Sequence, residues 1–195
     1  MSGRRRNPRG QGERLRDALL DAAATIVVDA GNASGLSLRS VAARVGVAAT
    51  SVYLHFKDID ALKVALADRC FASFAAFRDR AAGGIDDPRA ALSARCGAYV
   101  RWAVDNPGYY RLMFGADVPP LMDDPAGGES RAAFGALVTS VARAAPAGED
   151  PTRLAVLVWS ALHGQATLRM DRPHFPWPPL EETVADLVRR IVGFA

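Results

Sequence analysis

Apolar residues recur along this chain at intervals of three and four, the signature of helices with one buried face. In ERLRDALLDAAATIVVDAG the positions Leu15, Leu19, Ala22, Ala23, Ile26 and Val27 fall on one stripe, and Gly31 follows as a C-cap. A shorter pattern starts after Ser37, a side chain suited to an N-cap, with Leu38, Val41, Ala42 and Val45 at i, i+3, i+4 and i+7. Gly46 then permits a turn that residues with a Cβ resist. A second helix is expected from Ala48 to Phe56, with Val47, Val52 and Phe56 facing the first and Ala49, Thr50, Ser51, Tyr53, Leu54 and His55 facing outward. Two short helices hinged at a glycine predict a helix-turn-helix.

The rest of the chain continues in the same period. Residues 58–82 carry Leu62, Leu66, Cys70, Phe74 and Phe77 on one side and close at Gly83-Gly84. Pro88 opens a helix through Asp105, and NPGYYRLMFG (106–115) adds a turn and a short aromatic helix. Pro, Gly and Asp in residues 116–130 predict a loop, a candidate lid. Further helices are expected over Arg131–Ala144, Pro151–Asp171 and Leu180–Phe194. No stretch alternates with period two, so the fold class is all-α. The pattern divides into an arm (1–12), a three-helix domain (13–58) and a larger helical domain (59–195).

Half of the 195 residues are hydrophobic and 23% are charged, enough to bury a substantial core. No apolar run approaches the roughly 18 residues that span a bilayer, and no apolar stretch follows the first arginines. A cytoplasmic protein without a membrane partner is the expectation. Basic character is concentrated early: residues 1–57 hold nine Lys/Arg against four Asp/Glu, and the remainder fifteen against seventeen. The basic run MSGRRRNPRGQGERLR, with Arg4, Arg5, Arg6, Arg9, Arg14 and Arg16, admits two readings, a solubilising tail or a strap on DNA phosphates and the minor groove.

A helix entering the major groove needs small side chains for close approach, hydroxyls for base edges and apolar groups for thymine methyls. The outward set of the second short helix supplies all three, while Arg39, Arg44 and Lys57 stand at the rim, where phosphates lie. The enzyme alternative finds no footing. Three histidines (His55, His163, His174) and two cysteines (Cys70, Cys96) show no metal-ligand spacing, and no nucleophile elbow or phosphate loop occurs. No catalytic residue, metal or cofactor is expected. A basic DNA-packaging protein is the other class, which would have no use for an aromatic second half.

The pattern LSLRSVAARVGVAATSVYLHFKDIDAL, with the helix before it, resembles the N-terminal domain of the tetracycline-repressor (TetR) family of transcription regulators over about residues 13–66. The resemblance implies a homodimer that reads a pseudo-palindromic operator in double-stranded DNA and binds a small-molecule effector in its C-terminal domain. It further implies that Ala49, Thr50, Ser51 and Leu54 face bases, that Ser37, Tyr53, His55 and Lys57 face phosphates, and that Arg39 reaches either. The family's usual lysine is replaced here by Ile59, and Lys57 is the candidate substitute.

In the larger domain, Tyr99, Trp102, Tyr109, Tyr110, Met113, Phe114 and Phe134 are candidates for lining an apolar effector cavity with a few hydroxyls, against the alternative that each is simply core. WSALHG, from Trp159 to Gly164, resembles the Trp-x-x-x-His-Gly (WHG) signature of one C-terminal domain type in the family, which adds Trp159 and His163. The last two helices are expected to form the dimer interface, as the resemblance implies. Together these point to a repressor released from its operator by an effector.

Overall fold

A computed structural model of the chain describes residues 11–115 and 128–193. Most of the expected arm and of the expected loop at 116–130 lie outside the described residues. Every regular element among the described residues is helical, as the period predicts: α1 (Gln11–Ala30), α2 (Leu38–Val45), α3 (Ala49–Val52), α4 (Ile59–Ala82), α5 (Pro88–Asp105), α6 (Pro107–Phe114), α7 (Glu129–Ala144), α8 (Pro151–Asp171) and α9 (Leu180–Val192). They form two compact units. The first holds the described residues up to Ala67 together with those from Gly108 to Gly115, and the second holds the others. The division falls inside α4 rather than at its start, where the pattern placed the domain boundary.

In the first unit α1 buries Leu19, Ala23 and Val27 completely, and Gly31 ends the helix in the left-handed conformation at φ 68°. A reciprocal capping box starts α2: Ser37 Oγ accepts from the Ser40 N–H at 3.0 Å, and Ser40 Oγ accepts from the Ser37 N–H at 3.0 Å. Its far end is Gly46 at φ 77°, whose N–H returns to the carbonyls of Ala42 and Ala43. Helix α6 joins this unit by a close approach. A Cβ on Gly108 would lie 2.6 Å from the Val27 carbonyl oxygen, and Arg111 Nη1 donates to the Gly31 carbonyl at 3.1 Å, serving an orphan acceptor past the end of α1.

In the second unit α5 is the central helix, touching α7, α8 and α9. Asp87 caps it through the Ala90 N–H at 2.9 Å with Pro88 in the first turn; Asp150 and Pro151 repeat the device on α8. Leu92, Ala98, Val100 and Ala103 of α5 meet a core to which Ala155, Val158 and Leu162 of α8 and Val184 and Val188 of α9 also belong.

Candidate DNA-reading and effector sites

The reading segment is shorter as a helix than its sequence suggests. Expected from Ala48 to Phe56, α3 is one turn, Ala49–Val52. Ala48 stands at the N-cap with no side-chain acceptor to offer, and past Val52 the ladder closes on itself, since the His55 and Phe56 N–H groups both donate to the Val52 carbonyl (2.9 and 3.0 Å). Val52 and Phe56 are buried and Arg16 of α1 lies over the Phe56 ring, 5.3 Å from its centroid. That anchorage turns the residues between them outward: Tyr53 is 58% and Leu54 81% exposed and His55 is half-buried, while before Val52 the residues Ala49 and Thr50 are exposed and Ser51 is half-buried.

The surrounding polar groups differ in how free they are. Lys57 projects into solvent, 3.8 Å from Asp58, whose other oxygen caps α4 through the Ala61 N–H at 2.7 Å. Arg39 is exposed. Arg44, assigned to the rim by sequence, pairs with Asp29 of α1 at 3.3 Å on the open surface, where such pairs are weak and easily exchanged for a phosphate. Ser37 is exposed, but its hydroxyl is already engaged in the capping box.

The nine effector candidates separate into two groups. Tyr109, Tyr110, Met113 and Phe114 lie on α6, in the first unit, with Tyr110 and Met113 buried and the Tyr110 and Phe114 rings 4.8 Å apart. Tyr99, Trp102, Phe134, Trp159 and His163 lie in the second unit. There Phe74 of α4 is edge-on to Tyr99 at 5.2 Å and tilted against Trp102 at 5.1 Å. Tyr99 Oη lies 3.2 Å from His163 Nδ1, and Trp159, one turn before His163 on α8, packs on the His163 ring at 6.2 Å and on Phe134 at 5.8 Å. Burial holds His163 below the ordinary imidazole value.

One member of this cluster carries no signal in the residue types usually sought. The buried row of α4 runs at strict four-residue spacing through Leu62, Leu66, Cys70 and Phe74 and continues to Arg78 and Ala82. Arg78 is only 7% exposed, and its guanidinium sits over the Phe74 ring, 4.5 Å from the centroid. The spacing alone marks it: a charge in register with a core row is the detectable feature. Cys70 and Cys96 are buried free thiols, each pushed up to about 12 by desolvation, which makes them inert fillers rather than reactive groups. Among the described residues no group of three or more His, Cys, Asp or Glu is placed to hold a metal, and no helix is long and apolar enough to cross a membrane.

Comparison with known proteins agrees with this arrangement. Residues 92–193 match the family model of the tetracycline repressor-like C-terminal domain. An uncharacterized HTH-type transcriptional regulator from Haemophilus influenzae is 31% identical over 103 residues, 53% of this chain; the chain spans about half the length of that curated relative. Among solved structures, a protein of unknown function from Rhodococcus sp. RHA1 superimposes with a TM-score of 0.76 at 28% identity, covering 93% of this chain and 95% of that one. The transcriptional regulator FadR from Bacillus subtilis, in complex with stearoyl-CoA, shares the fold with a TM-score of 0.71 at 12% identity over 92% of this chain and 98% of its own. With one helical unit that carries a helix-turn-helix and a second that matches the family's C-terminal domain over half of the chain, this protein belongs to the tetracycline-repressor (TetR) family of transcription regulators.

Proposed function

We propose that the chain is a homodimeric, DNA-binding transcription regulator, acting in the cytoplasm as a repressor that a small molecule releases from its operator. The observation that carries the reading half is the exposure of Tyr53 and Leu54 on a turn whose neighbours Val52 and Phe56 are buried. Large apolar side chains held in water by a rigid anchor have a use when they meet base edges and sugar-phosphate. Ala49, Thr50, Ser51 and Leu54 take the base-facing role, and Ser37, Arg39, Tyr53, His55 and Lys57 the backbone-facing one.

Dimerisation through α8 and α9 draws support from α8. Leu157, Ser160 and Leu168 are exposed, Ala161 and Gly164 lie on the same stripe, and a Cβ at Gly164 would meet nothing within 4 Å in the protomer. Small residues flanked by exposed leucines suit a partner helix that approaches closely. For effector binding, the precedent is the stearoyl-CoA complex of Bacillus subtilis FadR, and the aromatic cluster around Tyr99 and His163 is the candidate region here. Release requires the effector to bind the DNA-incompetent form more tightly, since equal affinity shifts no population.

Fluorescence anisotropy of the purified protein on its own upstream intergenic DNA, against scrambled DNA of equal length over a salt series, tests the reading. A specificity ratio of about a thousand or more at physiological salt is expected. Equal affinity for both DNAs, falling steeply with salt, would favour the non-specific basic DNA-binding protein instead.

A further inference from the structure

The second unit contains a buried cation that is incompletely satisfied. Arg78 lies in the core row of α4, and its Nε is buried with no hydrogen-bond partner. The adjacent Asp79 bonds Arg95 of α5, at 3.3 Å, and acts on Arg78 as a neighbouring charge rather than as a hydrogen-bond partner of its Nε. What the guanidinium has is the face of Phe74 at 4.5 Å, and Phe74 in turn touches Tyr99 and Trp102. One turn further on, Ala82 borders a cleft of about 60 Å³ with Ala91, Asp86, Ser140 and two more arginines, Arg95 and Arg143.

An arginine stays protonated at any physiological pH, so its burial with the Nε unsatisfied is a standing cost of folding that the neighbouring Asp79 offsets only in part. Desolvation holds the guanidinium below its usual value, the direction expected of a buried cation whose carboxylate neighbour is engaged elsewhere. A planar fork stacked on an aromatic ring and flanked by further aromatics suits an oxyanion on an apolar body, and a lone guanidinium balances the single charge of a carboxylate. The carboxylate takes charge-assisted hydrogen bonds from the guanidinium, and the rings take the body.

We infer that the effector is an organic acid, and that Arg78 is the residue that recognises its carboxylate, with Phe74, Tyr99 and Trp102 against its apolar part. The inference rests on the effector-binding reading above and deepens it by naming the ligand class. It also explains why a repressor would keep this charge buried: an anion that neutralises Arg78 stabilises the arrangement of α4 and α5 in which the pair is formed, which gives the ligand the differential affinity that release demands.

The test uses the full chain and a matched series of probes: benzoate, butyrate, octanoate and hexadecanoate, each beside its neutral amide, followed by tryptophan fluorescence and by thermal melting. At least one acid is expected to bind at least about tenfold more tightly than its amide. In Arg78→Met that preference should shrink to within about twofold, while the variant without ligand melts no lower than wild type, because an apolar stem replaces an incompletely compensated charge. Arg78→Lys, which keeps the charge but not the fork, should retain a weakened preference. If no acid outbinds its amide on the wild-type chain, or if Arg78→Met keeps the preference, the inference is overturned; the wild-type comparison stands even if the variants fold poorly. Anisotropy on the upstream DNA, run with the same probes, separates the two levels. Specific DNA binding indifferent to every acid overturns the ligand class and leaves the regulator intact. Acid binding through Arg78 without specific DNA binding overturns the regulator and leaves the site.

Discussion

Tyr99 of α5 and His163 of α8 meet through a 3.2 Å polar contact, which joins two helices that pack against each other in the second unit. Burial keeps the His163 imidazole from accepting a proton as readily as it does in water. Below its ordinary value of 6.5 the unfolded chain therefore binds a proton that the folded chain resists, and folding stability falls with acidification. The loss begins as pH drops through about 6.5 and levels off below the lowered folded value. Thermal melts between about pH 5 and 8 should show this slope in the wild type and a flatter one in His163→Gln, which keeps a hydrogen-bonding group beside Tyr99 but does not titrate.

At the reading turn, charge and shape should separate by mutation. Lys57→Ala is expected to weaken binding to all DNA sequences alike and to reduce the salt slope by about one, since it removes one phosphate neutraliser. Thr50→Ala should leave the slope unchanged and alter sequence preference, by roughly 1–3 kcal/mol at the base pair it touches. Anisotropy on a panel of single-base operator variants at two or more salt concentrations reads both quantities.

Gly108→Ala places a methyl 2.6 Å from the Val27 carbonyl oxygen, a backbone atom that no side-chain rotation can move aside. Overpacking of this kind typically costs about 1–3 kcal/mol, and a melting temperature several degrees lower is the expected result. Gly164→Ala is the control within the same chain: its methyl meets nothing within 4 Å in the protomer, so a gain of up to about 1 kcal/mol in helix propensity is expected there, and a destabilising effect points to a partner.

The α8 stripe gives a separate test of association. Leu157, 46% exposed, is expected to be a central dimer contact, and Leu157→Glu would bury a charge there in place of an apolar side chain. Sedimentation velocity should show the wild type as a dimer and the variant shifted to monomer by at least about tenfold in dissociation constant, with helical content retained.

How much of this was legible in the sequence varied with the range of the forces involved. Helix starts were clearest where a side chain caps and a proline follows, as at Asp87-Pro88 and Asp150-Pro151, because the signal is complete within three residues. Gly31 and Gly46 were readable for the same reason. The length of α3 was not, since its end depends on Phe56 being drawn under Arg16, a contact made forty residues away along the chain. The place of α6 was hidden too: Gly108 looks like a turn residue in sequence, and only the nearness of Val27 reveals why a side chain cannot stand there. Among the effector candidates, residue type selected aromatics and a histidine but passed over Arg78, whose position in the four-residue row of α4 was legible while its burial was not.

The Gly108 contact carries one more consequence. The first unit is discontinuous in sequence: the chain leaves it after Ala67, completes α5 elsewhere, and returns with α6 to close over the end of α1. No contiguous fragment reproduces it. A segment cut at Ala67 would leave the Gly31 carbonyl without the Arg111 donor and the Val27 backbone without the close approach of Gly108. Swapping this reader onto another protein would therefore mean transplanting two pieces of chain, and α6 is the one that a cut made by reading the helix-turn-helix alone would leave behind.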